Sequence, residues 1–196
     1  MANWNGLNQL EHNIQAILDE HGFETLPFGT LVEHLREHGL SHDENRLTSK
    51  VEPLSLSSLE NIRGKGNASR ERLRVIGQKA IDAGEVGAIV LNGGMATRFG
   101  GKAKGATTAF DERSFLDLKL SQIAIASSGK APIFLMNSFA TQQTTKEHLR
   151  SLTISSPIST FTQMVSLRVT PGAELFLEAD GKPSLYAPGH GDLPFA

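Results

Sequence analysis

The stretch Val86-Gly87-Ala88-Ile89-Val90-Leu91-Asn92-Gly93-Gly94 runs from an unbroken apolar segment directly into a glycine pair. Six residues without polar alternation suit a strand buried on both faces, as in a parallel sheet. The C-terminal end of such a strand is where open α/β sheets place their ligands. Working outward, Asn67 reads as the N-cap of a preceding helix, with Glu71 near its positive end and Leu73, Ile76, Ala80 and Ile81 as the buried stripe up to Gly84. Downstream, Ser114 and Asp117 open a helix that carries Phe115, Leu118, Ile123 and Ile125 to about Ser128, with Gly129 as its stop. Pro132 to Met136 forms a second buried strand, followed by a helix from about Thr141 to Leu152. Phe161 to Val169 and Glu174 to Leu177 read as two further strands. This alternation predicts an α/β sandwich around a mostly parallel sheet.

Residues 1–66 are of a different kind. Leu7, Leu10, Ile14, Ile17 and Leu18 fall at helical spacing before Gly22, and a second helix is expected from about Thr30 to His38 before Gly39. Between Ser41 and Gly66 the pattern weakens, as in a linker. The expected organisation is a helical N-terminal extension and linker over 1–66 and a ligand-binding domain over 67–196. Trp4 and the leucines of the first helix read as packing against the body of the protein. His34, His38 and His42 stand at intervals of four, but Gly39 interrupts the helix, and they read as solvated histidines rather than metal ligands. Arg70 to Arg74 reads as a solvated helix face.

Composition narrows the function. The chain has 196 residues and a formal net charge of -2, which gives no electrostatic footprint for nucleic acid or an anionic membrane surface. It holds no cysteine, which excludes disulfides and thiolate zinc sites. No secretory signal opens the sequence and no apolar run approaches a membrane span, so a cytoplasmic location is expected. The last four residues, Leu193-Pro194-Phe195-Ala196, follow directly on a Gly-His-Gly-Asp turn, an ending expected of a domain truncated at its C-terminus.

The loop from Leu91 to Gly105 carries the strongest chemical signal. Gly93, Gly94, Gly100 and Gly101 let the backbone approach a ligand, and successive amides in such a turn form a concavity for anions. Arg98, Lys102 and Lys104 add cations, giving a cradle suited to linked phosphates. A Walker A loop is excluded because Ala96 and Ala103 occupy positions that need glycine and a hydroxyl residue. The Gly-x-Gly-x-x-Gly dinucleotide pattern fails as well.

At this point the sequence resembles the sugar nucleotidyltransferases, and within them the UTP–glucose-1-phosphate uridylyltransferase and UDP-N-acetylglucosamine pyrophosphorylase family. Leu91-Asn92-Gly93-Gly94-Met95-Ala96-Thr97-Arg98-Phe99-Gly100 is similar to the family's glycine signature. Phe115-Leu116-Asp117-Leu118, Leu135 to Thr141, Phe161-Thr162-Gln163 and Ala187 to Asp192 resemble four further family segments, in order. Residues 1–66 carry no motif of this kind.

The resemblance implies a Rossmann-like three-layer sandwich of the nucleotide-diphospho-sugar transferase type. It implies a uridylyltransferase that joins UTP and a sugar 1-phosphate, with Mg²⁺ as cofactor. It assigns Leu91, Asn92, Gly93, Gly94 and Thr97 to the nucleotide, and Gln163 and Gly189 to the uracil edge. Met136, Asn137 and Ser138 would floor the base pocket. Arg98 and Lys104 would neutralise phosphate charge, with Lys104 as catalytic lysine, and His190 would approach the sugar phosphate. Departures from the pattern are Ala96 for a glycine, Ala187 for a proline, and a spacing one residue short at Lys104, which keeps Lys102 as its competitor. Family metal ligands are expected after Ala196, and Asp192 reads as a turn cap. A chain so ended is expected to keep nucleotide affinity without turnover. Asn92 and the Gly-His-Gly-Asp turn favour glucose 1-phosphate. A UDP-N-acetylhexosamine pyrophosphorylase and a non-catalytic UTP-binding module are the alternatives.

Overall fold

The computed structural model describes residues 5–41, 46–59, 68–94, 103–189, 191 and 193–194. After a 3₁₀ turn at Asn5–Gln9 come two helices, α1 (His12–Glu20) and α2 (Thr25–His38). Helix α3 (Ala68–Asp82) leads to strand β1 (Ala88–Leu91). A 3₁₀ turn at Lys104–Ala106 precedes a small hairpin of β2 (Thr108–Phe110) and β3 (Arg113–Ser114), which feeds α4 (Phe115–Ala126). Strand β4 (Ile133–Asn137), helix α5 (Gln142–Leu149) and strand β5 (Ile158–Thr162) follow. A second hairpin pairs β6 (Ser166–Leu167) with β7 (Leu185–Tyr186).

Strands β1, β4 and β5 form a parallel sheet in the order β1-β4-β5, with Leu91 opposite Met136 and Asn137 opposite Thr162. The mixed helix and strand order with a parallel sheet is the one the apolar runs predicted. One face is sealed: Ile133 and Leu135 of β4 bury against Leu116 and Leu120 of α4, with Val90 and Ile158 packed beside them. A second core lies at the N-terminal side. Ile14 and Leu18 of α1 and Phe28 and Val32 of α2 pack on Val165, Leu167 and Ala173. The first helix thus lies against the body of the protein.

Several expectations need correction. Strand β1 is not buried on both faces: Ile89 and Leu91 are 53% and 41% exposed, whereas Val90 packs in the core. Among the described residues only the Val90 face is covered, by the α4 side of the core, and the face that carries Ile89 and Leu91 is left open. Helix α3 buries no residue, and its expected stripe residues Leu73 and Ile76 are exposed. Asn67, its expected N-cap, lies outside the described residues. Helix α2 begins at Thr25 rather than Thr30 because Pro27 sits in its first turn, where the missing N–H costs nothing. The strand expected over 161–169 breaks at Gln163–Val165, and Leu175 and Leu177 make only isolated bridges to Val169 and Pro183.

The start of α4 is well specified locally. Ser114 Oγ accepts the Asp117 N–H at 3.0 Å and shares a 2.7 Å hydrogen bond with His148 Nε2 of α5. Arg113 donates to Asp117 through Nε at 2.6 Å and Nη2 at 3.0 Å. That guanidinium, with a smaller contribution from the Ser121 hydroxyl, holds the Asp117 carboxyl below its ordinary value against the opposing effect of desolvation. A carboxyl lowered on folding stabilises fully above its unfolded value of about 3.9, and loses that contribution as pH falls through the folded value. Asp117→Asn is therefore expected to lower the urea midpoint at neutral pH, with the gap to wild type closing in acid. Because Arg113 is 42% exposed, the effect is small. A gap that persists unchanged in acid would contradict this assignment.

Candidate functional site

Three polar residues stand side by side at the C-terminal end of the sheet. Asn92 extends the β1–β4 ladder by donating its N–H to Met136 O at 2.8 Å. Gln163 extends the next one by donating its N–H to Asn137 O, also at 2.8 Å. The Asn92 side chain donates both amide hydrogens, to Asn137 Oδ1 and Thr145 Oγ1, each at 2.8 Å. Thr141 Oγ1 donates to Asn92 O at 3.1 Å and accepts the Ser138 N–H at 3.0 Å. Asn137, Ser138, Thr141, Thr145 and Gln163 are all buried. The entry to the glycine loop is thereby fixed from below by a network spanning β1, β4 and α5.

Gly93 follows in this network without room for a side chain. A Cβ there would lie 2.5 Å from Gln163 Nε2 and 3.1 Å from the carbonyl carbon of Asn137. Gln163 Nε2 uses that proximity to donate to Gly93 O at 3.2 Å. At the far end of the loop, Gly105 is equally constrained, since its Cβ would meet Asn92 Oδ1. Asn92 therefore touches both limbs of the loop.

Above it lies a cleft of about 380 Å³, lined by Leu91, Asn92, Gly94, Lys104, Phe115 and Lys119 among others. This falls within the roughly 300–1,000 Å³ of small-molecule sites. Among the described residues the charged lining side chains, Lys104 and Lys119, are both cations. Phe115 and Lys119 lie four apart on α4, on one face, while Leu116 and Leu120 turn into the core. Two buried atoms at this end of the sheet have no protein partner among the described residues, the donor Asn137 Nδ2 and the acceptor Gln163 Oε1. Buried polar atoms are ordinarily satisfied, so both offer valences to a ligand or water.

The structure thus joins Leu91, Asn92, Gly94 and Lys104 in one cleft and ties Gly93 to Gln163. Gly189 follows Pro188, which shares a surface hollow with Met164 and Val165 just after Gln163. Thr97, Arg98, Lys102, His190 and Asp192 lie outside the described residues, as do Trp4 and His42. His34 and His38 stack on each other with centroids 4.6 Å apart, and no group of three metal-type ligands occurs among the described residues. Lys119 and Thr145 were not anticipated. Lys119 had one legible signal, being the only basic residue within the apolar run of α4. Thr145 meets its partner Asn92 across 53 positions and had none.

A parallel sheet with its polar network and basic cleft at the strand C-termini has its candidate site where open α/β sheets place their ligands. The chain belongs to the UTP–glucose-1-phosphate uridylyltransferase family, whose model matches residues 35–196. Its fold is similar to that of an Entamoeba histolytica protein assigned as a UDP-N-acetylglucosamine pyrophosphorylase, at 21% identity and a TM-score of 0.51 over 63% of this chain. A UDP-glucose phosphorylase from Trypanosoma brucei aligns at 25% identity and a TM-score of 0.48 over 58% of it. The chain spans only 35% and 26% of the length of those two proteins. No curated protein matches it. Among the described residues no helix is long and apolar enough to cross a membrane.

Proposed function

We propose that the protein binds UTP at the C-terminal end of the β1-β4-β5 sheet and acts in uridylyl transfer to a sugar 1-phosphate, with glucose 1-phosphate as the acceptor. The observation that carries this reading is the Gly93–Gln163 contact. It sets an acceptor, Gln163 Oε1, beside a glycine entry loop whose cleft is lined, among the described residues, by the cations Lys104 and Lys119. Uracil presents an N3–H to such an acceptor, whereas the matching edge of adenine presents N1, itself an acceptor. The same pairing therefore favours UTP over ATP.

In this reading a sugar-1-phosphate oxygen attacks the α-phosphorus of UTP. A new P–O bond forms as the bond to the bridging oxygen breaks, and pyrophosphate leaves with that electron pair. The chain supplies position and charge rather than covalent chemistry. Gly93 and Gly94 admit the triphosphate against the backbone, while Lys104 and Arg98 offset the charge that grows on the leaving group. Leu91, Asn92 and Thr97 complete the nucleotide side, Gly189 joins Gln163 at the base, and His190 approaches the sugar phosphate. Lys119 adds a second cation on the α4 wall. Mg²⁺, which the family resemblance implies, is kept as the proposed cofactor; no group of three metal-type ligands stands among the described residues, so none of them is proposed as its ligand.

The parallel sheet is read as part of a Rossmann-like three-layer sandwich. Residues 1–66 form the helical extension and 67–196 the nucleotide part, in a cytoplasmic protein. Calorimetric titration with UTP and ATP tests the whole assignment. Wild type is expected to prefer UTP. Gln163→Ala should lose about tenfold in UTP affinity, the worth of one good hydrogen bond, without loss for ATP. Lys104→Ala should weaken both nucleotides alike, more so at low salt. Equal affinity of wild type for UTP and ATP would remove the uracil assignment.

A further inference from the structure

We infer that His21 is a positioning residue for Gln163, and that the N-terminal helix pair thereby sets the base preference of the nucleotide site. The inference rests on the uracil reading of Gln163. His21 ends α1 and is 7% exposed, burial unusual for a residue whose ring carries two polar nitrogens. Its contacts bracket Gln163 in the chain. On one side, His21 Nδ1 and Thr162 Oγ1 share a hydrogen bond of 3.1 Å. On the other, Val165 donates its N–H to His21 O at 3.1 Å. The ring also lies 6.4 Å from that of Phe139, in the turn after Asn137, whose carbonyl accepts the Gln163 N–H.

Gln163 is the first residue beyond β5, and its N–H bond to Asn137 O is the last the parallel ladder supplies, so the chain after it is held from elsewhere. Its carboxamide must nonetheless point at Gly93, with Oε1 held at a set angle to any base in the site. One residue therefore holds the chain on both sides of Gln163, at Thr162 and at Val165, where it passes from β5 to β6. Ordinary packing of α1 on the core would need Ile14 and Leu18 but not this polar grip. The backbone bond through His21 O survives side-chain replacement, so substitution isolates the Thr162 link and the ring.

The full 196-residue chain is titrated with UTP, ATP and inorganic tripolyphosphate, as wild type, His21→Ala and His21→Asn. His21→Ala is expected to lose about tenfold for UTP while tripolyphosphate affinity stays unchanged, so that the UTP-to-ATP preference collapses. Asparagine places a polar atom at the same bond count from Cα as Nδ1 and should restore most of the preference. Should His21→Ala fail to fold, Thr162→Val removes the partner hydroxyl at constant shape and is expected to give the same pattern. An intact UTP-to-ATP ratio in the substituted protein, or equal loss for all three ligands, would overturn the positioning role. A wild type without UTP preference would instead bring down the uracil reading itself.

Discussion

Alanine at Gly93 is expected to abolish UTP binding at any concentration that wild type binds comfortably, a loss of about 100-fold or more. The added methyl would stand 2.5 Å from Gln163 Nε2 and 3.0 Å from its Cδ. A flexible side chain at the surface could swing aside, but Gln163 is 3% exposed and its amide is committed to Gly93 O. The third neighbour, the Asn137 carbonyl carbon at 3.1 Å, belongs to backbone held in the ladder with Gln163. The strand end must therefore lift, carrying Gly94 and the loop mouth away from Lys104. The overpacking itself costs about 1–3 kcal/mol of stability. Because the displaced element is the binding element, affinity falls further than stability alone requires. Calorimetry at a temperature where thermal denaturation shows the variant folded separates the two. Wild-type affinity in folded Gly93→Ala would mean that the nucleotide does not enter past this residue.

The parts of this site that could be read from the chain are those encoded within a few residues of one another. Ser114 three positions before Asp117 predicted a capped helix, and the cap is there at 3.0 Å. The apolar runs ending at Leu91 and Met136 predicted parallel neighbours, and these residues face each other in register. Burial was misjudged where it depends on what lies on the other side. Ile89 is apolar in an apolar run, yet among the described residues nothing covers its face of β1, and nothing local announces that. The β2–β3 hairpin was missed because its turn, Asp111-Glu112, places both residues at positive φ, 48° and 59°, without the usual glycine or asparagine. The network that fixes Asn92 was equally hidden. Its partners, Asn137 and Thr145, are ordinary polar residues whose meaning comes only from long-range pairing. Gln163 sits between these cases: its motif was legible, its grip on Gly93 was not.

Truncating Leu18 to alanine is expected to cost about 2–5 kcal/mol, the range for removing a fully buried leucine whose surroundings collapse only in part. Leu18 is wholly buried, in the cluster that α1 and α2 form with Val165, Leu167 and Ala173. If the N-terminal helices were a loosely attached extension, the loss would appear as a separate transition at low urea, leaving the main unfolding step in place. The contacts argue for the other outcome. The cluster that holds Leu18 includes Val165, only two residues beyond Gln163, and Val165 N–H is bonded to His21 O. Loosening one side of that cluster therefore loosens the chain segment leading to the sheet's C-terminal end. A single cooperative transition, shifted to lower urea and followed alike by far-ultraviolet circular dichroism and by UTP protection, is the expected result. Two separated transitions, with UTP affinity intact after the first, would make the helix pair an independent attachment and leave the orientation of Gln163 to the sheet alone.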